Sequence, residues 1–531
     1  MYNLNQFVMI KRNLLGGALL VAVLILLSGC KEIMSNLSNP VDAYLQLSET
    51  STTIYRGQSY QINYSTISDA KPIFKSADEK IATVDANGVV TGANRGTTKI
   101  TIEVPATENY NGASVEFLVK VDALLNLPKD AKELALNEEY NLGVTSVSKG
   151  KITYKSSNTK VATVDANGNV TAKGYGDATI SISIAATPEY DRTESAEFTA
   201  KVRIQNLAQL AAAIAASTEV TALLGEGVSI TLPDAGIDLS GKKVTIKGDD
   251  KKPATFTMGA NGIIINNNFK IENAKINGST LTTPFIKMAT LPTTGLNEKG
   301  AFEIDYVAFE NVETTGIPLQ FFYANGQKYL IKSFTVENCQ FAMANGNSSN
   351  VNTIFDFKSG GNTALLQINN STIWCNPARV KAGDFFNSQS GQGAIELGSE
   401  KQVRSITNST MYNISYGQNT CSVRRNDVSG MSYVVKNCII VNCGKSGQFL
   451  VGLNGGSSKG DSKVKWEVAG SLFNSGGSDK SADEATKVGN DKGGNAIVTD
   501  YLTGTVTFAD AAAGDFTQSG YNAGDPRWIK K

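Results

Sequence analysis

The sequence of 531 residues contains no histidine. Ser-His-Asp and Cys-His catalysis are therefore excluded, and so is any zinc site that uses an imidazole ligand. A catalytic base in this chain would have to be Asp, Glu, Lys, Arg or Tyr. An excess of either charge is also lacking, because 49 basic side chains balance 49 acidic ones. We therefore expect no nucleic acid partner.

Proline is sparse at 12 residues, whereas glycine is abundant at 50, and runs that favour helices are rare. This composition is typical of many short strands joined by tight turns. The length predicts roughly three domains. The sequence therefore predicts an all-β chain of several domains.

The N-terminus reads as a targeting segment. Lys11 and Arg12 precede the apolar run Leu14–Leu27, which is shorter than the roughly 20 residues that span a bilayer and suits a signal-peptide core. The run ends in LSGC, which resembles the lipobox of bacterial lipoproteins. The resemblance implies cleavage after residue 29, lipidation of Cys30 and, with Lys31 following, an outer-membrane location. The alternative is an ordinary signal peptide with an incidental cysteine.

The remaining cysteines number five, so they cannot all pair, and their spacing fits no zinc pattern. We interpret two of them, Cys339 and Cys438, as small buried hydrophobic residues.

Two copies of one module follow the linker, which we place at residues 30–43. KIATVDANGVVT at 80–91 recurs as KVATVDANGNVT at 160–171, an offset of 80 residues. Asp-Ala-Asn-Gly is a turn signal between alternating strands. Short strands at regular spacing predict an antiparallel sandwich, at 44–122 and again at 123–203.

Both copies resemble bacterial immunoglobulin-like domains of group 2, whose hallmark is the stretch just quoted. The resemblance leaves two roles open, adhesion or a spacer that holds a distal domain away from the membrane. We favour the spacer, because neither copy carries an aromatic or charged cluster. Asp85 and Asp165 are interpreted as turn formers rather than ligands.

Residues 204–531 show a different pattern. The spacing of Leu207, Leu210, Ala211 and Ile214 predicts an amphipathic helix over 206–216. Beyond it, the stretch FTVENCQF at 334–341 recurs at intervals of 29 to 38 residues, as FKIENAKI, FEIDYVAF, LLQINNSTI, RSITNSTM, YVVKNCII and KWEVAGSLF. One strand motif per repeat predicts a solenoid of stacked coils.

One position of the repeat is expected to form an inward asparagine ladder, in which each amide is satisfied by its neighbours. The residue at the next position of the repeat is small in every copy. The ladder position is held by Asn273, Tyr306, Asn338, Asn370, Asn408, Asn437 and Gly470.

This layout resembles the right-handed parallel β-helices of the pectate-lyase-like superfamily, with the helix as an N-terminal cap. The ending FTQSGYNAGDPRWIKK also resembles that of uncharacterised β-helix lipoproteins, which are associated with polysaccharide use in Gram-negative bacteria. The expected fold class is therefore two Ig-like sandwiches followed by a right-handed parallel β-helix. The resemblance implies that the partners are polysaccharide and, through the lipid, the membrane, with other proteins of a glycan-uptake system as further candidates.

A second strand follows each ladder position by 11 to 18 residues, and strand alternation would point part of it outward. An exposed strip of aromatic rings, carboxylates and basic groups suits an extended sugar chain. We expect this strip to comprise Phe322, Tyr323, Asp356, Lys358, Asp384, Phe386 and Arg424.

Two main hypotheses of function follow. The first is a non-catalytic surface lipoprotein that binds polysaccharide, with uronate-rich, pectin-like chains as candidate ligands. The second is a polysaccharide lyase, with Lys358, Arg424 or Arg425 as the base and Asp356 with Asp384 as calcium ligands. We prefer binding without a cofactor, because no third acidic residue aligns with the two aspartates. An adhesin is a third hypothesis.

Overall fold

The computed structural model describes residues 40–188, 193–317, 320–344, 354–357, 360–375, 386–387, 394–414, 421–422, 431–443, 465–474, 501–502 and 504–530. These residues are nearly all in strands and turns, so the all-β prediction is confirmed. None of their helices is both long and apolar enough to cross a bilayer.

The first module is a sandwich of four-stranded and three-stranded sheets, in the orders β3-β11-β9-β6 and β4-β8-β7, with two short strand pairs at its edges. Its core comprises alternate residues of the long strands, such as Ile100, Ile102 and Phe117. The strands are β1 Val41–Asp42, β2 Leu45–Leu47, β3 Ser51–Tyr55, β4 Ser59–Gln61, β5 Tyr64–Thr66, β6 Ile73–Ser76, β7 Ala82–Val84, β8 Val89–Gly92, β9 Gly96–Val104, β10 Tyr110–Asn111 and β11 Ala113–Asp122.

The second module repeats this arrangement with sheets β13-β20-β19-β16 and β14-β18-β17. In the large sheet of each module one strand pair is parallel, β3 with β11 and β13 with β20, and the other pairs of that sheet are antiparallel. The strands are β12 Leu125–Asn126, β13 Ala131–Ala135, β14 Glu139–Asn141, β15 Thr145–Ser146, β16 Ile152–Ser156, β17 Ala162–Val164, β18 Asn169–Ala172, β19 Gly176–Ile184 and β20 Glu194–Arg203.

The repeated Asp-Ala-Asn-Gly sequence forms a turn in both modules. The Asp85 carboxylate accepts hydrogen bonds from the backbone N–H groups of Asn87 and Val89, and these bonds lower its pKa. Gly88 adopts a φ of 80°, and a Cβ there would lie 2.8 Å from the Phe74 ring. Asp165 makes the equivalent bonds. Both aspartates therefore form turns, as their positions predict.

The capping helix α1, Leu207–Ala216, begins after Asn206, whose side chain accepts a hydrogen bond from the Gln209 N–H group at 3.0 Å. An asparagine at this position satisfies a helix N–H group that has no partner within the helix. Leu210 and Ile214 are buried against the first coil. The predicted N-terminal cap is therefore confirmed.

The β-helix begins after this cap. Its parallel strands are β21 Glu219–Leu223, β22 Ser229–Thr231, β23 Ile237–Asp238, β24 Lys243–Lys247, β25 Ala254–Thr257, β26 Ile263–Ile265, β27 Phe269–Asn277, β28 Ile286–Met288, β29 Phe302–Ile317, β30 Phe322–Tyr323, β31 Tyr329–Glu337, β32 Gln340–Met343, β33 Phe355–Asp356, β34 Asn362–Asn369, β35 Thr372–Cys375, β36 Phe386–Asn387, β37 Gln402–Thr407, β38 Thr410–Tyr412, β39 Cys421–Ser422, β40 Met431–Lys436, β41 Ile439–Val441, β42 Lys465–Ala469, β43 Ser471–Asn474 and β44 Tyr501–Leu502.

Seventeen of these strands form one continuous parallel sheet that bends at a corner in each coil, and seven form a separate sheet. We call the second of these the third face, with the order β23-β26-β28-β30-β33-β36-β39. The interior is filled by stacked aliphatic and phenylalanine side chains, for example Phe309, Phe321 and Phe341.

Seven coils, from β27 to β43, turn at a single corner residue in the left-handed conformation, with φ between 46° and 57°. Asparagine tolerates this conformation better than most residues, because its short polar side chain bonds locally. The corner residues are Asn273, Asn311, Asn338, Asn370, Asn408, Asn437 and Gly470.

Two details of the predicted ladder are wrong. In the second copy of the repeat the corner is Asn311 rather than Tyr306. Strand β29 is longer than the repeat assumed, so that Val312 is the residue that pairs with Ala274.

The corner asparagines also do not face the interior, since Asn311, Asn338 and Asn437 are exposed. Asn273 is only 5% exposed, and its Nδ2 donates to Asp250 Oδ1 at 2.6 Å. The corner side chains link neighbouring coils from outside, for example Asn311 Nδ2 to Asn273 Oδ1 at 2.9 Å.

The inward ladder belongs to the next residue of each coil, which is buried in all seven coils. The backbone N–H of Cys339 donates to Ser371 Oγ at 3.0 Å, and that of Ser371 donates to Ser409 Oγ at 3.2 Å. Burial raises the pKa of Cys339 and of Cys438 to about 12. Both cysteines are therefore small buried residues, as expected, rather than reactive thiols.

The C-terminal residues 504–530, which we call the C-terminal strap, lie against these corners. Arg527 Nη2 donates to the Cys339 carbonyl at 2.6 Å, and the buried Asp525 accepts from Thr372 Oγ1 at 2.7 Å. The Gly524 N–H donates to the Asn437 carbonyl at 2.7 Å. The strap therefore connects several coils that are distant from it in sequence.

Both joints between domains are made by direct contacts. Tyr55 of the first module packs against the core of the second. The Glu133 carboxylate of the second module accepts from the Glu226 N–H at 3.1 Å and from Gln205 Nε2 at 2.6 Å, in the β-helix and the segment leading to it. Tyr175 packs against both cores.

We expect Asn338→Ala to lower the free energy of unfolding of the β-helix by about 1–2 kcal/mol, because alanine is strained in the left-handed conformation. Asn338→Gly should cost less, since glycine adopts positive φ without strain. Urea denaturation of the full chain measures both. Equal destabilisation by the two variants would show that side-chain contacts, not backbone strain, account for asparagine at this corner.

Candidate functional site

One column of paired strand positions runs along the third face, and we call it the outer column. Its members are paired directly from strand to strand, so that each lies one coil above the last. The positions are held by Asp238, Ile264, Lys287, Tyr323, Asp356, Asn387 and Ser422. For Asn387 and Ser422 only the strand position is described. Asp238 is exposed, and Ile264, Lys287 and Tyr323 are partly exposed.

The neighbouring column faces the interior. Ile286, Phe322 and Phe355 occupy it and are fully buried. The ring of Phe322 packs edge-on against Phe334 at 5.3 Å between centroids, which places it firmly in the core.

The prediction that Phe322 is exposed for sugar contact is therefore wrong. Counting outward-facing positions by strand alternation placed Phe322 and Lys358 on the same stripe of the strip. The structure instead pairs Phe322 with Phe355 and then Phe386. Because side chains alternate along a strand, this change of register turns Phe322 inward and Tyr323 outward.

Tyr323 is the aromatic residue of the outer column, and it is partly exposed. Lys287, also partly exposed, precedes it by one coil. Parallel neighbours in a sheet are about 4.8 Å apart, so the Tyr323 and Lys287 side chains start from adjacent backbone positions on this face. Two of the residues predicted for the strip, Tyr323 and Asp356, are thus brought to adjacent positions.

Asp356 shares the register position of Tyr323 but is only 3% exposed, so its predicted exposure is wrong. Gln320 Nε2 donates to its Oδ2 at 2.6 Å, which offsets part of the cost of burying the carboxylate. Burial, together with the nearby Asp356 charge, raises the pKa of Tyr329 well above its usual value. The hydroxyl of Tyr329 therefore stays protonated.

A buried arginine belongs to the same region. Arg404 occupies the interior position that Leu366 holds one coil earlier. Its Nη2 donates to Asn362 Oδ1 at 2.7 Å and its Nη1 to the Thr363 carbonyl at 2.9 Å. The guanidinium carbon lies 6.0 Å from the centre of the Phe357 ring. The Coulombic effect of Arg404 on the pKa of Tyr329 opposes that of Asp356.

Sequence reasoning missed this polar cluster, although a signal existed. In RSITNSTM, Arg404 stands where FTVENCQF has Phe334. A charged residue at an apolar position of a repeat indicates a buried polar network.

Several predicted site residues lie outside the described part of the chain. They are Cys30, Lys358, Asp384, Arg424 and Arg425, and for Phe386 only the strand position is described. The lyase base and the Asp356–Asp384 calcium site therefore stay predictions. Among the described residues, no three carboxylate or cysteine side chains come together as a metal site would require.

The outer column offers binding groups in a row. A tyrosine ring combines an apolar face with a hydroxyl that both donates and accepts. An ammonium group such as that of Lys287 attracts carboxylates; it donates hydrogen bonds and cannot accept them. Such a row can hold a polar, extended ligand by stacking and hydrogen bonding. Within the described residues it does not assemble a base with an adjacent metal site.

Sequence reasoning also missed an aromatic cluster on the outer face of β35 and β38. Phe516 of the C-terminal strap is buried among Trp374, Tyr412, Phe508 and Trp528, at centroid distances of 5.1 to 6.1 Å. Trp528 Nε1 also donates to Thr372 Oγ1 at 2.7 Å. These rings hold the strap in place, so we assign them a structural role.

Two family models match residues in the two N-terminal modules. The model of the bacterial Ig-like domain (group 2) matches residues 44–110, and that of the intimin immunoglobulin-like domain matches residues 145–187. Residues 230–376, which include Tyr323 and Lys287, match a domain of unknown function, DUF4957. No curated protein matches the chain.

Three similar solved structures each cover about a third of the chain. Domains 4 and 5 of the S-layer protein SbsC share 14% identity over 31% of this chain and 99% of that one, with a TM-score of 0.14. A C-terminal intimin fragment, solved with the intimin-binding domain of its receptor, shares 18% over 30% and 63%, with a TM-score of 0.14. Drosophila N-cadherin EC1-4 shares 11% over 31% and 50%, with a TM-score of 0.15. Likeness at these TM-scores carries no argument about function.

The corrected register has a direct test. Phe322→Ala should lower the free energy of unfolding by about 3–5 kcal/mol, because it empties a fully buried site. Tyr323→Ala, one residue away, should cost no more than about 1 kcal/mol. Chemical denaturation of the full chain compares them. The reverse ranking would mean that the register on the third face is wrong.

Proposed function

We propose that this chain is a lipid-anchored cell-surface protein that binds polysaccharide along the outer column, with the two Ig-like modules as its stalk. The observation that carries the proposal is the position of Tyr323. It is a partly exposed residue on a parallel sheet, in register with Lys287 on one side and Asp356 on the other.

The geometry of stacked coils supports an extended ligand. Successive members of the outer column are spaced by one strand, about 4.8 Å, which is comparable with the advance of one sugar residue in an extended polysaccharide. A chain that runs along the solenoid axis would therefore meet one side chain per sugar. Tyr323 would stack on a sugar face, and Lys287 would attract a uronate carboxylate.

The rigidity of the outer column also supports binding. Ile286 and Phe322, next to the two contact residues in sequence, are fully buried, and Asp356 is held by Gln320. Side chains on a rigid scaffold lose little conformational entropy when a ligand binds. We therefore propose a preformed surface rather than one that folds around the glycan.

The stalk role rests on the joints. Tyr55 spans the first joint, while Glu133 and Tyr175 span the second, by packing and by hydrogen bonds to the backbone. A stalk made in this way would hold the β-helix at a distance from the membrane. Outer-membrane location, uronate-rich pectin-like ligands and partner proteins of a glycan-uptake system belong to the same proposal. The lyase and adhesin hypotheses gain no support from the described residues.

Affinity electrophoresis against a panel of polysaccharides, including pectin and polygalacturonate, tests the binding. We expect at least one glycan to retard the wild-type chain. Tyr323→Ala should weaken the apparent affinity by about tenfold, equivalent to about 1.4 kcal/mol. Tyr44→Ala is the matched control, because it removes an exposed tyrosine from the first module. Full retardation of the Tyr323→Ala chain, or no retardation of the wild type, would contradict the proposal.

The anchor is tested separately. Cys30→Ala removes the thiol that the lipobox resemblance identifies for lipidation, so the protein should leave the membrane fraction on cell fractionation. Cys438→Ala, at a buried position of the β-helix, controls for the loss of a cysteine. The lipoprotein proposal fails if the Cys30→Ala protein stays with the membranes.

A further inference from the structure

One end of the first module exposes four apolar side chains. Val41, Tyr44, Ile67 and Ile73 are each between 52% and 60% exposed. Because Leu45 pairs with Thr66, their neighbours Tyr44 and Ile67 face each other across two strands. We call these four residues the distal tip.

The distal tip lies at the end of the first module away from the second. Strand β11 runs from Ala113 toward the joint, where the Asp122 carbonyl accepts from the Arg56 N–H at 3.1 Å. Its first residue pairs with Val104, and Ile73 pairs with the adjoining Glu103. Strand β1, with Val41, pairs with Tyr110 just before β11 begins. The tip therefore faces away from the rest of the molecule.

The second module shows the same end of an Ig-like domain when a neighbouring domain covers it. In the second module the position of Tyr44 is held by Leu124, which is buried, and that of Ile73 is held by Thr153, which is polar. Ile67 alone keeps an exposed apolar counterpart, Val147. The first module packs against this end of the second through Tyr55. The same end of the first module thus has apolar residues where a partner would sit.

The chain itself indicates that partner. Ten residues, 31–40, separate Cys30 from Val41, and such a segment spans at most about 35 Å when fully extended. A lipid on Cys30 would therefore keep the distal tip close to the bilayer surface. We propose that the distal tip rests on the membrane, with its apolar side chains in the interfacial region of the lipid. This inference relies on the lipid anchor of the proposed function.

The chemistry of the tip suits that environment. Tyrosine is favoured at membrane–water interfaces, because its ring is apolar and its hydroxyl stays hydrated. Ile67 and Val41 would bury apolar surface among the acyl chains, which is the main source of interfacial binding. Contact at the tip would fix the direction of the stalk, so that the β-helix stands away from the membrane rather than lying on it.

A quenching experiment separates this contact from natural lipidation. The chain from Lys31, carrying an N-terminal histidine tag, is attached to phosphatidylethanolamine–phosphatidylglycerol vesicles that contain a nickel-chelating lipid. Tyr44→Trp reports on the tip, and Tyr323→Trp on the β-helix is the matched control. Emission is compared between vesicles with ordinary and with brominated acyl chains at equal nickel content, so that the difference reflects contact with lipid.

Brominated lipid should reduce the fluorescence that the tryptophan of Tyr44→Trp adds to that of the wild-type chain. It should leave the fluorescence added by Tyr323→Trp unchanged. The added substitutions Val41→Ser and Ile67→Ser should abolish the quenching at Tyr44→Trp. Absence of quenching at Tyr44→Trp on tethered vesicles overturns the inference, and so does equal quenching at both positions. Because the tag replaces the lipid, failure of the Cys30→Ala fractionation leaves this result interpretable.

Discussion

The left-handed residue at the corner of seven coils is the constraint on which the β-helix depends. It turns the chain so sharply that the side chain of the next residue points into the interior. This residue is buried in all seven coils, for example Cys339 and Ser371. The same geometry brings the corner N–H groups onto carbonyls of the following coil, for example Asn338 to Asn369 at 3.2 Å. Stacked corners also set the register of the strands on either side of them, for example Glu337 with Asn369 and Gln340 with Thr372.

Much of this architecture could be predicted from local pattern. The repeat of asparagine followed by a small residue indicates the solenoid, and the Asp-Ala-Asn-Gly turns indicate the sandwiches. The position of one corner could not, because FEIDYVAF has the alternation of its neighbours while the true corner, Asn311, lies five residues beyond Tyr306. Pattern alone does not measure how far a long strand extends before it bends.

The candidate site was less predictable for a related reason. A strand of two residues such as β30 carries too little alternation to fix which side chain faces out, so Phe322 and Tyr323 are equivalent in the sequence. Only pairing with Ile286 and Phe355 decides between them. The burial of Asp356 depends on Gln320 and on side chains from distant coils, which no local pattern contains.

The two proposed contacts lie on different domains, the lipid at the tip of the first module and the glycan on the third face of the β-helix. Hydroxyl-radical footprinting of the full chain, with and without a polysaccharide that binds it, tests the central claim most directly. Tyr323 should be oxidised in the free protein and protected by the glycan, while Phe322 stays unmodified in both states. Labelling of Phe322 as heavy as that of Tyr323, or labelling of Tyr323 that the bound glycan does not change, would contradict the account.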